Sequence, residues 1–218
     1  MGNKVIYSLN KAIKRMKYEK LFKKYKEFTM IPKEIFLGKL ECINWYNVPK
    51  GNVVECGVWK GGMIASIAEM LGNDYSYYLF DSFEGLPEPN QIDDGLIAKN
   101  WYGNNNIDNC RADITFASNA MKMSKVKKVY FKKGWFNETI PNNEINTISV
   151  LHIDSDWYES VKLCLDNFFP KIVNGGIVII DDYYFWEGCR KAVNEYLYNN
   201  TQYFIREWEN TKVFYIVK

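Results

Sequence analysis

The chain has 218 residues, 25% of them charged and 17% aromatic, and its formal net charge is +2, which favours one large globular domain able to bury a full sheet. Five cysteines without a CxxC pair exclude a thiolate metal site and are typical of a reducing compartment. No apolar run approaches the length of a transmembrane helix, and no apolar segment follows the basic start as in a secretory signal, so the expected location is the cytoplasm.

The first 47 residues are predicted to form a helical extension that begins with one basic amphipathic helix over residues 1–28. Residues 1–33 carry ten Lys or Arg against two Glu, a net +8, whereas the remainder carries −6. The helix is expected to pack on the domain or on a second subunit in a homodimer, and contact with an anionic membrane surface or an acidic partner is the alternative. Nucleic acid is disfavoured because no recognition motif accompanies the basic segment. Its apolar face is predicted to comprise Val5, Leu9, Ile13, Met16, Leu21, Tyr25 and Phe28.

After a second helix, Lys33–Tyr46, which Pro32 is placed to begin, a predicted strand over 53–56 runs into a glycine-rich turn and a helix over 63–71. Glycines in this turn would let a ligand approach the backbone, and the N–H groups that begin a helix suit an anionic group. The spacing matches neither GxGxxG nor the GK[ST] phosphate loop, which weakens a dinucleotide or nucleoside triphosphate interpretation. Alone, the turn is equally compatible with a plain connection.

A second predicted strand, 77–80, ends in Asp81. An acid that closes a strand roughly twenty residues after a glycine-rich turn can hydrogen-bond both hydroxyls of a ribose. The two features together favour a nucleoside-containing cofactor.

Residues 88–120 are rich in Pro, Asn, Asp and Gly, and we predict a lid-like insertion beside the site, with a tolerated surface loop as the alternative. A third strand is predicted over 128–132.

The segment 148–184 contains two β-branched apolar runs, 148–153 and 176–180, each ending in a pair of acids. A helix predicted over 160–171 and closed by Asn174-Gly175-Gly176 separates them, which favours a βαβ unit with two parallel, buried strands. The acids then lie beyond the carboxyl ends of the strands, where open parallel sheets bind their ligands.

These acids are Asp154 with Asp156, and Asp181 with Asp182. Four crowded carboxylates would resist ionisation without a cation, and oxygen ligands suit Mg²⁺ or another divalent cation. We therefore predict Asp154, Asp181 and Asp182 as metal ligands and Asp156 as a base. Helix capping or solvation of the acids is the alternative. His152, the only histidine, shares a side of the strand with Asp154 but lies deeper, which favours structural support over a direct catalytic role.

The chain ends with a helix predicted over 186–198 and two strands, 203–208 and 212–217, as an antiparallel pair. The expected fold is α/β and Rossmann-like: a seven-stranded, mostly parallel sheet in residues 48–218 with a C-terminal hairpin and helices on both faces. That is the layout of a class I S-adenosylmethionine-dependent methyltransferase.

Five sequence blocks resemble the TylF-type (macrocin) O-methyltransferases, metal-dependent enzymes that methylate sugar hydroxyls. The blocks are VVECGVWKGG at 53–62, LFDSFEGLPEP at 79–89, KKGWFNETIP at 132–141, LHIDSDWYES at 151–160 and GGIVIIDDYYFWEGCRKAV at 175–193. Five blocks in order, over most of residues 29–195, make the match specific.

The resemblance implies a cofactor site in which the glycine-rich turn holds the methionine end of S-adenosylmethionine, Asp81 the ribose hydroxyls, and the Gly134-Trp135 turn borders the adenine. The full implied set is Glu55, Cys56, Gly57, Val58, Trp59, Gly61, Gly62, Asp81, Ser82, Gly134, Trp135 and Asp154. It also implies Mg²⁺ on Asp154, Asp181 and Asp182, with Asp156 as the catalytic base and Asp154 beside it.

The implied reaction methylates a hydroxyl of a small-molecule sugar acceptor: a glycoside, a surface-polysaccharide sugar or a nucleotide-activated sugar. Aromatic residues just past the acids could stack on the sugar or belong to the core: Tyr158, Tyr183, Tyr184 and Trp186. Three alternatives stay open, namely a catechol-type O-methyltransferase, a glycosyltransferase using Asp154-Ser155-Asp156 as a DxD motif, and a non-catalytic interaction subunit.

Overall fold

A computed structural model describes residues 2–105 and 109–218, with side chains from residue 13 onward except residue 105. The strands are β1 (Asn52–Cys56), β2 (Ser76–Asp81), β3 (Val129–Lys133), β4 (Ile148–Ile153), β5 (Ile172–Ile180), β6 (Arg206–Glu207) and β7 (Phe214–Val217). The α-helices are α1 (Gly2–Tyr25), α2 (Lys33–Tyr46), α3 (Gly62–Leu71), α4 (Gln91–Asn105), α5 (Ile114–Ser124), α6 (Phe136–Thr139), α7 (Tyr158–Phe168) and α8 (Glu187–Tyr198).

The strands form one seven-stranded sheet in the order β3-β2-β1-β4-β5-β7-β6. The first five strands along the chain run parallel to one another, and β7 pairs antiparallel with both β5 and β6. The predicted α/β sheet with a closing hairpin is confirmed. Chain order reverses beside β1, which has β2 on one side and β4 on the other. Ligands of open α/β sheets bind at such a switch point, beyond the carboxyl ends of the strands.

Helices cover both faces of the sheet, as predicted. Successive residues of β1 point to opposite faces, so Val53 packs with α1, α2, α3 and α5, whereas Val54 packs with α7 and α8. Burial on both faces explains why the parallel strands are continuous apolar runs instead of alternating ones.

Helix α1 is shorter than predicted and packs differently. It ends at Tyr25, and residues 26–28 form a 3₁₀ turn. Tyr18, Leu21 and Tyr25 are buried, but Ile13 and Met16 are 57% and 60% exposed and do not belong to the buried face. The side chains of Val5 and Leu9 lie outside the described residues. The C-terminal half of α1 therefore packs on the domain, as one of the two sequence interpretations expected.

Residues 88–120, which we predicted as an insertion from their composition, include α4 and the first part of α5. In α4, Gly95 breaks the helical geometry with φ +81°. In α5, Ala117, Ala120 and Met121 are buried against α3, and Asp113 caps the helix by accepting a hydrogen bond from the Thr115 N–H (2.8 Å). The part from residue 114 onward is thus a core helix and not a loop, a correction of the predicted insertion. The Pro, Asn, Asp and Gly residues that indicated a loop lie almost entirely before residue 114, and the prediction extended that character across the helix.

Strand β5 begins earlier than predicted, at Ile172, and it includes Asn174-Gly175-Gly176, which we expected to form a turn. The pairing with β4 shifts register between Ile148 and Val150, and this irregularity absorbs the extra residues. None of the described helices is both long and apolar enough to cross a membrane.

Candidate functional site

A cavity of about 840 Å³ opens at the carboxyl edge of the sheet, beside the switch point. The ends of β1, β2, β4 and β5 border it, together with the 28–32 junction between α1 and α2. Predicted site residues that line it are Glu55, Gly57, Val58, Trp59, Gly62, Asp81, Ser82, Trp135, Asp154, Asp156, Asp181 and Asp182. The sequence did not reveal the contribution of the 28–32 junction, because the chain returns to the site only through the tertiary fold.

The glycine-rich turn lies against the chain that follows β4. A Cβ atom on Gly57 would lie 1.6 Å from the carbonyl oxygen of Asp154, and its φ is +86°. Only glycine fits there, so this residue sets how closely the ends of β1 and β4 approach each other. Gly61 packs against Ala117, and Cys56 points into the core on the opposite face of β1. These two and Gly134 are not among the cavity-lining residues.

Asp81 anchors the same turn. Its Oδ2 accepts hydrogen bonds from the N–H groups of Val58 (2.7 Å) and Trp59 (2.8 Å), and its Oδ1 accepts one from Phe83 (2.6 Å). Each carboxylate oxygen has further lone-pair capacity, and the side chain still borders the cavity. Asp81 thus couples the shape of the glycine-rich turn to the place where a ribose is expected.

The acids predicted from the two strand ends meet at the cavity floor. One carboxylate oxygen each of Asp154, Asp181 and Asp182 lies within 4.8 Å of those of the other two. Burial and the neighbouring Asp181 carboxylate raise the pKa of Asp154 well above its ordinary value, and burial with Asp156 does the same to the pKa of Asp182. Asp182 Oδ2 is buried without a hydrogen-bond partner. An oxygen-only donor set with excess negative charge and an unsatisfied oxygen fits a divalent cation.

A buried polar array, which the sequence analysis missed, supports these acids. Lys39 of α2 is 1% exposed, and its ammonium group pairs with Asp181 and lies 2.9 Å from Nε2 of His152. Nδ1 of His152 lies 2.8 Å from Oε1 of Glu55. Burial and the Lys39 charge lower the pKa of His152, so we assign a neutral ring that accepts from Lys39 and donates to Glu55.

His152 is fully buried beneath the acids, where it contacts Lys39 and Glu55. A sequence signal for Lys39 existed. Lys39 lies three residues after Phe36, on the same helical face as the apolar Leu40 and Ile43. A lysine on this face must bury its side chain and pair its charge.

Asp156, the predicted base, lines the cavity beside this cluster. Its Oδ1 accepts a hydrogen bond from the indole Nε1–H of Trp186 (2.6 Å). Burial raises the pKa of Asp156 to about 7, although the Trp186 hydrogen bond acts in the opposite direction. A carboxyl group with a pKa near neutrality is suited to accepting and releasing protons.

The structure does not bring the four predicted substrate aromatics to the cavity lining. Tyr158 donates its hydroxyl hydrogen bond to Glu195, Tyr183 donates to Asn194, and Tyr184 stacks on Phe214. Trp186 contacts Asp156 instead. Phe185, which the sequence analysis passed over, is the lining aromatic of this segment and is 70% exposed.

Comparison with known proteins adds two kinds of finding. The family described as Macrocin-O-methyltransferase (TylF) matches residues 27–215. Demethyldecarbamoylnovobiocin O-methyltransferase from Streptomyces niveus is 34% identical over 162 residues, 69% of this chain and 59% of that protein. Mycinamicin III 3''-O-methyltransferase from Micromonospora griseorubida is 32% identical over 153 residues, 67% of this chain and 60% of that protein. This chain therefore spans about six-tenths of the length of these relatives.

Solved structures agree with the fold. The O-methyltransferase NovP superposes with a TM-score of 0.75 at 28% identity, covering 88% of this chain and 82% of that one. The calicheamicin methyltransferase CalS11 has a TM-score of 0.63 at 17% identity, covering 96% of this chain and 92% of that one, a likeness that concerns the fold alone.

Proposed function

Because the chain belongs to the macrocin O-methyltransferase (TylF) family, we propose that it transfers the methyl group of S-adenosylmethionine to a sugar hydroxyl with the help of a divalent cation. Family membership confirms the resemblance drawn from the sequence. The observation that carries the proposal is one cavity bordered at once by the glycine-rich turn, Asp81 and the acid cluster.

The cofactor would occupy the side of the cavity formed by the glycine-rich turn and Asp81. Glu55 and the glycine-rich turn would face the methionine end, Asp81 would face the ribose with Ser82 near the adenosine, and Trp135 would border the adenine. All of these line the same cavity. S-adenosylmethionine supplies an activated methyl group on a sulfonium. The chain's part is to orient it, and the narrow approach at Gly57 fixes that orientation.

Asp154, Asp181 and Asp182 would hold the divalent cation, which lowers the pKa of a nearby hydroxyl and orients it. Asp156 would accept the proton of the acceptor hydroxyl. Lys39 and His152 keep Asp181 and Glu55 in place beneath this site.

The charge of the cavity supports an uncharged acceptor. Its lining includes seven acidic residues, and among the described residues it includes no Lys, Arg or His. A diphosphate group would find no Lys or Arg in the described part of the lining, and the cation on the acid cluster is assigned to the reacting hydroxyl, so a glycoside is favoured over a nucleotide-activated sugar. The two relatives described above are named for novobiocin and mycinamicin substrates.

We retain residues 48–218 as the methyltransferase domain and 1–47 as an extension that contributes Lys39 and the 28–32 junction to the site. The cytoplasm is the proposed location. A homodimer through α1 and membrane-surface contact stay predictions, which sedimentation velocity and vesicle flotation can test.

Titration calorimetry of S-adenosylmethionine into the wild-type chain, Asp81→Asn and the surface control Asp166→Asn tests the cofactor assignment. Asp166 is exposed, pairs with Lys162 on the same helix α7, and does not line the cavity. We expect binding by the wild type and the control and at least tenfold weaker binding by Asp81→Asn, because two charged-group hydrogen bonds to a ribose are weakened. Absence of binding by the wild type would overturn the proposal.

Methyl transfer is then screened by mass spectrometry with Mg²⁺ or with EDTA. The acceptors are demethyldecarbamoylnovobiocin, TDP-rhamnose and catechol. Transfer to the glycoside is expected, whereas transfer to catechol alone would contradict the sugar assignment.

A further inference from the structure

The geometry points to Trp186 as a positioning residue that holds the carboxylate of Asp156 in its working orientation. This inference rests on the proposed function, in which Asp156 accepts a proton. Trp186 is 6% exposed and does not line the cavity, so its indole is unavailable as a stacking platform for a sugar. Its Nε1–H instead points at Asp156 Oδ1 across 2.6 Å.

The backbone at Asp156 has a strained conformation. Asp156 has φ +59°, and the Trp157 N–H donates to the carbonyl oxygen of Ser155 across 2.7 Å. A hydrogen bond between residues i and i+2 around a positive φ defines a γ-turn of the rare, strained kind. Residues held in sparsely populated conformations persist only where surrounding structure over-determines them, and they concentrate at functional sites.

The indole of Trp186 is itself fixed by neighbouring rings. Its centroid lies 5.1 Å from that of Trp157 and 5.9 Å from that of Trp101, both nearly edge-to-face. Ring pairs at these distances and angles are attractive beyond their buried area. The donor therefore has little rotational freedom, and the hydrogen bond it makes has a defined direction.

Contacts on the far side of the γ-turn complete a clamp. The Tyr158 N–H donates to Oδ1 of Asp94 (2.7 Å), and the indole N–H of Trp157 donates to the Pro87 carbonyl oxygen (2.9 Å). These bonds fix the backbone and the neighbouring ring, but neither one reaches the Asp156 carboxylate. The Asp156 carboxylate is reached by the Asp182 side chain and by the indole of Trp186, and the indole is the donor that would remain when Asp182 holds a cation.

Trp186→Phe tests the inference, with Trp208→Phe as the matched control. Both changes remove one buried indole N–H, but Trp208 packs with Trp45 and Tyr215 away from the cavity, and only the first change removes the donor to Asp156. Steady-state rates are measured with S-adenosylmethionine, Mg²⁺ and the sugar acceptor that gives the highest turnover in the screen above. We expect kcat to fall about tenfold or more in Trp186→Phe, because small misplacements of a base are costly, with KM for S-adenosylmethionine unchanged. The control is expected to keep kcat within about threefold.

A double-mutant cycle with Asp156→Asn separates positioning from general loosening of the fold. In the Asp156→Asn background, Trp186→Phe is expected to have no further effect on kcat, because the group it positions is already gone. An equal fold-loss in both backgrounds would overturn the inference, and so would a raised acceptor KM with unchanged kcat, which would mark direct contact with the sugar. A wild-type chain that binds no S-adenosylmethionine would instead overturn the proposed function, and this inference with it.

Discussion

The ammonium group of Lys39 lies 2.9 Å from Nε2 of His152, although the two residues are 113 positions apart in the chain. Both side chains are almost completely buried, at 1% and 0% exposure. The pair joins α2 to the middle of the sheet, continues to Glu55 on β1, and reaches Asp181 at the end of β5. A helix that precedes the first strand thereby carries a charge that offsets part of the repulsion among the active-site acids.

Lys39→Met should destabilise the protein by about 3 to 5 kcal/mol, because it leaves the partly buried Asp181 without its cation and His152 without its donor. Urea unfolding in EDTA measures this change. Lys33 lies on the same helix as Lys39 and forms an exposed pair with Glu19 of α1. Lys33→Met should therefore cost no more than about 1 kcal/mol. Equal costs for the two variants would contradict the structural role of Lys39.

Gly57→Ala should abolish S-adenosylmethionine binding, since its Cβ would lie 1.6 Å from the Asp154 carbonyl oxygen and must push β1 and β4 apart. Gly72→Ala is the matched control, because Gly72 has a similar φ of +82° with nothing within 4 Å of its Cβ position. The control should lose about 1 to 2 kcal/mol from backbone strain alone and retain binding. Calorimetry and urea unfolding of both proteins give the comparison, and wild-type affinity in Gly57→Ala would refute the steric argument.

Removal of one acid from the cluster should weaken divalent-cation binding. Asp182→Asn neutralises a ligand whose Oδ2 has no protein partner, and calorimetric titration of Mg²⁺ should show a loss of at least tenfold in affinity. Asp166→Asn should bind Mg²⁺ like the wild type. Asp182→Asn should also be more stable than the wild type in EDTA, because it relieves repulsion among buried carboxylates. Unchanged Mg²⁺ affinity would exclude Asp182 as a ligand.

The rate of methyl transfer should rise with pH through a midpoint at about pH 7 and then reach a plateau. Burial raises the pKa of Asp156 to about 7, and a base acts only after it has lost its proton, so activity is low below this pKa and full above it. A divalent cation on the neighbouring acids would lower the pKa of Asp156 and so move the midpoint to lower pH. The pH profile of kcat/KM measures the midpoint, and Asp156→Asn should remove this limb. A midpoint well above 7 would mean that another group accepts the proton.

Local sequence patterns determined most of the fold. Apolar runs of four to six residues between turns located the parallel strands, and α2 was predicted with the bounds it has, Lys33–Tyr46. The acids at the strand ends were found for the same reason, since the carboxyl edge of a parallel sheet gathers residues that are distant in sequence but equivalent in register. The prediction was wrong where residue composition was read instead of periodicity, as in the Asn-rich stretch that runs into α5 and at the glycines inside β5.

Only the tertiary structure decided how the site is supported. The family resemblance could assign Asp156 as a base, but not the indole that orients it, because Trp186 is 30 residues away and its ring direction depends on packing with Trp157. Lys39 reaches the acids from an element that precedes the sheet altogether. Periodicity records which side of an element is buried, whereas the partner of a buried polar group depends on which elements meet, and that is fixed by packing across the whole chain.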